Sequence, residues 1–214
     1  MIEPSNAALI IIDMQNGFID ERSSLCIAGA AATLPACARA LDRARKLGIP
    51  VFHVCREYAA DGSDVESTRF ETWLAGGRPV SKASTLPDSL GFPPLVAPQA
   101  DDHVIIKPRF SAFFDTNLDD TLRAMGVTTV VLTGTTTPNC IRTTCYDALS
   151  LNYNVVVIED CTSSRTPEVQ ATNIEDMAYI GAQVIDCEAF CTEGLASVRD
   201  VVSEHQAKVA EGID

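Results

Sequence analysis

The chain has 214 residues, 46% of them hydrophobic and 21% charged, a size and balance that support one domain with a sizeable core and exclude a disordered polymer. Sixteen Lys and Arg against 29 Asp and Glu leave a formal charge of −13 with no basic run, which argues against a phosphate-binding face for nucleic acid. No apolar stretch reaches the ~18 residues of a membrane span, and the N-terminus carries no signal-peptide pattern, so a cytoplasmic protein without membrane contact is expected.

The segment AALIII (residues 7–12) is apolar on every side and predicts a fully buried strand. Small apolar residues at helical spacing predict a helix over about 30–47, stopped by Lys46 and Gly48, and IPVFHV (49–54) predicts the second strand. Residues 56–100, rich in Gly, Pro, Ser and charge and holding the only tryptophan, Trp73, read as a long excursion with one short helix. Strands follow at 103–106, 128–133, 154–158 and 182–185, with helices over about 117–125, 138–151 and 167–180 between them. The tail 205–214 is expected to fray. Six buried strands separated by helices predict an α/β fold, a three-layer αβα sandwich around a mostly parallel, Rossmann-like sheet, in a single domain spanning 1–214.

Eight cysteines without a signal segment argue against a disulfide framework, and most read as small buried apolar residues. Cys187 and Cys191 have a spacing a zinc ion can use, but a second ligand pair is missing, so no metal or other cofactor is expected.

Ligands of open parallel sheets bind beyond the carboxyl ends of the strands. Three such ends carry reactive groups here: Asp13 after the first strand, Lys107 after the third, and the run from Gly134 to Cys140 after the fourth. Thr137 and Pro138 suit the N-cap and first position of the next helix, which puts Cys140 in its first turn. Free N–H groups and the positive dipole end there favour a thiolate and can hold an oxyanion. Phe18 and Trp73 are candidate walls for a small planar substrate. Arg109, two residues beyond Lys107, is a candidate partner for a substrate carboxylate, with Arg142 a weaker one.

At these residues the sequence resembles the isochorismatase-like superfamily of cysteine hydrolases, which includes nicotinamidases and the N-carbamoylsarcosine and ureidoacrylate amidohydrolases. The matching pieces are IIIDMQN (10–16), KPRFSAF (107–113), GTTTPNC (134–140), Asp147-Ala148 and VVVIED (155–160). The resemblance implies Asp13 as general base and acid, Lys107 as electrostatic support and Cys140 as nucleophile. It also implies a cis peptide between Thr135 and Thr136, with the N–H groups of Thr136 and Cys140 as oxyanion donors, and a homo-oligomer, dimer or tetramer. The chain departs from the family at Pro138, where Asn is common, and at Gly17, where Asp is frequent. It also has Arg56-Glu-Tyr-Ala59 where nicotinamidases carry the Arg-Asp-Trp-His segment of their metal site.

The expected reaction is attack of Cys140 on a small carboxamide or ureido/carbamoyl compound, with release of ammonia or an amine and hydrolysis of a thioester. The alternatives are a non-catalytic protein on the same fold and a redox sensor cycling Cys140 through sulfenic acid.

Overall fold

The computed structural model describes residues 2–212. Strands and helices follow the alternation read from the sequence: β1 (Ala7–Ile12), α1 (Asn16–Ile19), α2 (Ala30–Lys46), β2 (Val51–Arg56), α3 (Phe70–Ala75), β3 (His103–Lys107), α4 (Leu118–Ala124), β4 (Thr129–Thr135), α5 (Arg142–Ser150), β5 (Asn154–Ser163), α6 (Pro167–Tyr179), β6 (Gln183–Ile185), α7 (Cys187–Glu193) and α8 (Val201–Glu211).

All strand pairs are parallel, in the order β3-β2-β1-β4-β5-β6. The chain winds outward from β1 through β2 to β3, returns to the centre, and winds the other way through β4 to β6. The strand order therefore reverses between β1 and β4, which opens a crevice at their carboxyl ends.

Side-chain alternation divides the core in two. Ala7, Leu9 and Ile11 of β1 pack with Cys37, Ala40, Leu41 and Ala44 of α2 and with Phe190 of α7. Ala8, Ile10 and Ile12 pack on the other face with Leu118 and Leu122 of α4, Cys145 and Ala148 of α5 and Met177 of α6. Cys37, Ala40, Leu41 and Ala44 of α2 stand at i, i+3, i+4 and i+7 on one face, and the small Ala and Cys side chains keep that face flat against the sheet. Three layers result, as the pattern predicts.

Two expectations need correction, those for the edge strands and for the tail. The edge strands β3 and β6 are only partly buried, because each has a neighbour on one side alone. The tail is helical from Val201 to Glu211, capped by Asp200, whose carboxylate accepts from Ser203 N at 3.0 Å; Ile213 and Asp214 lie outside the described residues. The excursion between β2 and β3 is ordered around its own small core, in which Trp73 packs with Tyr58, Val65 and Val80.

Candidate active site

Gly134 sets up the crevice. It pairs with Ile12 across the β4–β1 ladder, at φ 108°, and a Cβ there would lie 2.2 Å from the Ile12 carbonyl oxygen. The next residue after Ile12 is Asp13, whose backbone N–H donates to Val54 O at 2.8 Å and whose φ of 53° turns the chain out of the sheet. After β4, the Thr135–Thr136 peptide is cis, and residues Thr137–Ile141 form one wide helical turn that leads into α5.

Asp13, Lys107 and Cys140 meet at these ends. Lys107 Nζ donates to Asp13 Oδ2 at 2.8 Å, to Arg109 O at 3.2 Å and to Cys140 Sγ at 3.5 Å, so all three ammonium protons are directed. The three side chains are almost wholly enclosed, at 1%, 0% and 6% exposure. Asp13 Oδ1 is buried with no hydrogen-bond partner among the described residues, which leaves one lone-pair face of the carboxylate free to take a proton. The N–H of Thr136 likewise finds no acceptor among the described residues.

The thiol differs from its expected state. Burial pushes Cys140 up to about 11, the Asp13 carboxylate beside it acts in the same direction, and Lys107 opposes both. A helix dipole favours an anion where solvent or a cation completes its shell; here desolvation and a neighbouring negative charge outweigh it. Cys140 therefore rests as a neutral thiol next to a carboxylate. Thr137 does not cap the turn either: its hydroxyl donates to Ser163 O at 2.9 Å, so the segment is held by β5 instead.

A cavity of about 50 Å³ reaches the thiol, lined by Asp13, Phe18, Arg56, Arg69, Phe110 and Cys140 among others. As it stands it has room for one or two waters. A second chamber of about 110 Å³ lies beside it and shares Leu25, Tyr58 and Arg69 as its wall. A larger cleft of about 440 Å³ opens by Asn154 and Gln183, at the amino ends of β5 and β6, the edge of the sheet opposite Asp13.

Among the pocket candidates, Phe18 and Thr136 line the thiol cavity. Trp73 does not: it lines the outer chamber and is otherwise core, with its indole N–H donating to Pro79 O at 2.9 Å. Arg109 is turned away, its guanidinium donating to the carbonyls of Asp64 and Pro108. Arg142 lies outside on α5, bonded to Asn173 and paired with Asp176.

The pocket arginines are Arg56 and Arg69. Arg56 ends β2 and so obeys the strand-end rule, but ending that strand at Val54 leaves it on the excursion side of the boundary. It is buried, donates to Glu66 Oε1 at 2.9 Å and to Pro108 O at 2.6 Å, and lies over the rings of Tyr58 and Phe110. No local pattern marks Arg69, which the folding of the excursion brings in.

The QNG that follows Asp13 and Met14 is structural. Gln15 Oε1 accepts from Arg56 N at 2.8 Å while its amide donates to Arg56 O at 3.0 Å and Leu90 O at 3.2 Å. Gly17 explains one departure from the family: a Cβ there would lie 2.6 Å from Val80 Cγ1 and 2.8 Å from Ser89 Oγ, so the excursion packs where a side chain would stand. The segment 56–59 does not fit a metal site. His53, the histidine nearest to it in sequence, is buried on β2 and bonded to Asp102 at 3.1 Å, and no three His, Cys, Asp or Glu side chains converge to hold an ion among the described residues.

Fold and site together define a hydrolase built on a doubly wound α/β sheet with a buried thiol–carboxylate–ammonium cluster at its switch point. The isochorismatase domain model matches residues 7–189, and the chain belongs to that family. It is 42% identical over 180 residues to an Arabidopsis thaliana protein named "probable inactive nicotinamidase", covering 83% of this chain and 91% of that one. It is 33% identical over 203 residues to the ureidoacrylate amidohydrolase RutB of Yersinia enterocolitica, covering 87% and 88%. The crystal structure of an isochorismatase family protein from Desulfovibrio vulgaris superposes with a TM-score of 0.81 at 41% identity, covering 86% of this chain and 96% of that one.

Proposed function

We propose that this chain is a cysteine-dependent amidohydrolase that cleaves a small carboxamide, ureido or carbamoyl compound through a thioester. It is a hydrolase of non-peptide C–N bonds, and Cys140 is its nucleophile, Asp13 its proton carrier and Lys107 the cation that holds the two in register. The observation that carries this reading is the position of Lys107 Nζ, 2.8 Å from Asp13 Oδ2 and 3.5 Å from Cys140 Sγ, among three side chains almost wholly enclosed by the protein.

Because the thiol rests protonated, the first step is concerted: its proton passes to Asp13 as sulfur bonds to the carbonyl carbon. The negative charge moves to the carbonyl oxygen, where the N–H groups of Thr136 and Cys140 receive it. Asp13 then gives the proton to the departing nitrogen, the C–N bond breaks, and ammonia or an amine leaves a thioester. A water attacks the thioester carbon and loses its proton to Asp13. Expulsion of the Cys140 sulfur, which takes that proton back, releases the acid.

A non-catalytic protein on this fold is the competing reading, and it is what the name of the Arabidopsis relative says of that protein. The complete cluster, with Lys107 spending its three donors on Asp13, Cys140 and the backbone, favours turnover. We further infer one working domain in which the 56–100 excursion roofs the site. A homo-oligomer, dimer or tetramer, belongs to the same reading; its support is the exposed apolar set Val104, Ile106 and Phe114 on and just beyond the edge strand β3. The test is ammonia release across a panel of small carboxamides, ureides and carbamoyl amino acids. Cys140→Ala should lower the rate on any accepted compound by about 10⁴-fold or more while circular dichroism stays unchanged. Undiminished turnover by that variant would refute the nucleophile.

A further inference from the structure

Charges around the thiol are matched except for one. Lys107 faces Asp13, and Arg56 faces Glu66, whose carboxylate also accepts from the Tyr58 hydroxyl at 2.7 Å. Arg69 has no hydrogen bond and no ion pair to its guanidinium among the described residues; its only contact of note is the Phe110 ring, 5.4 Å from Cζ to centroid. It is half-buried and lines both the thiol cavity and the outer chamber.

A guanidinium without a protein partner, in the wall shared by two cavities, keeps its fork of donors available to an anionic ligand. The chain as a whole carries −13, so a guanidinium in the cavity wall without an acidic partner runs against the overall charge. Arg109, by contrast, spends its guanidinium on two backbone carbonyls, and Arg56 is bound to a carboxylate, so neither is free to receive another.

We propose that Arg69 receives a carboxylate on the substrate, so that the compound cleaved at Cys140 is the amide or ureide of a short acid that keeps a second, free carboxylate. The proposal rests on the amidohydrolase reading for the word "cleaved", but not for the anion-receiving role. Arg69 is a specificity residue here: it holds the far end of the molecule while the cluster acts on the near end.

Two probes separate these parts. The first is alkylation of Cys140 at about pH 9, followed by peptide mapping, with iodoacetate and the neutral, equally sized iodoacetamide. In the wild type the ratio of iodoacetate to iodoacetamide rates should exceed that of the half-buried Cys26, which does not line the cavity; Arg69→Met should lower the ratio at least about 10-fold, and Arg69→Lys should restore part of it. The second is hydrolysis of succinamate against its neutral methyl ester, where the acid-to-ester ratio of kcat/KM should fall in the same two variants by the same order. An alkylation ratio within about threefold of wild type in Arg69→Met would overturn the proposal even if amides are hydrolysed. A lost bias in a protein that hydrolyses no amide would uphold the anion site and sink the amidohydrolase reading instead.

Discussion

Lys107 and Asp13 form an ion pair of 2.8 Å between side chains that are 0% and 1% exposed, at the ends of two strands that are not neighbours in the sheet. A pair so deeply buried gains little net stability over an apolar replacement, yet removal of one partner strands the other charge. Lys107→Met should therefore cost about 3–5 kcal/mol in urea unfolding, and the double variant Asp13→Leu with Lys107→Met should recover much of that. Neither should hydrolyse amides. Full recovery of turnover in the double variant would show that the pair serves stability alone.

The protonation state of Cys140 is open to direct measurement. Burial and Asp13 raise its pKa to about 11, so the free protein's thiol should stay neutral through the range in which exposed cysteines ionise. Alkylation of Cys140 by iodoacetamide should keep rising with pH until about 11. The same shift makes a stability statement: the contribution is complete below the unfolded pKa of about 8.5 and is lost as pH climbs through the folded value, since the unfolded chain releases its proton first. A plateau of Cys140 reactivity below about pH 9 would contradict the desolvated thiol.

Gly17 tests the seating of the excursion. Gly17→Asp introduces a Cβ against Val80 and Ser89 and should loosen residues 56–100 without unfolding the sheet. The expected result is faster proteolysis within the excursion and a KM raised at least about 10-fold, with a smaller change in kcat. Protease resistance equal to wild type would show that the neighbours yield without cost.

His53 governs part of the acid response. Burial holds its pKa below the ordinary histidine value, although Asp102 pulls the other way. A depressed folded pKa means stability that is complete above about pH 6.5 and is lost as pH falls through the folded value, because the unfolded chain binds the proton first. His53→Gln should reduce the drop in Tm between about pH 7 and about pH 5. Parallel pH curves for the two proteins would assign that drop to other groups.

The elements of this fold differ in how plainly the sequence marks them. The alternation of apolar runs with helical stripes is a local property, and β1, β2, β4 and β5 stand where the runs do. The short helices α1 and α7 are too brief for periodicity to mark, and α8 shows no buried residue from which a stripe could be read. Asp13, Lys107 and Cys140 were legible because a parallel sheet delivers every strand's carboxyl end to one edge, whatever the loops do.

Sequence by itself determined the layers of this protein and the three residues that meet at its switch point, since both follow from short-range pattern and the one-way direction of parallel strands. Only the tertiary structure decided which arginine faces the thiol, that Trp73 belongs to a core and that Cys140 keeps its proton. Those depend on how a 45-residue stretch of low regularity (56–100) folds back over the edge. Side-chain direction and desolvation there are set by contacts between residues far apart in the chain, and no local spacing encodes them.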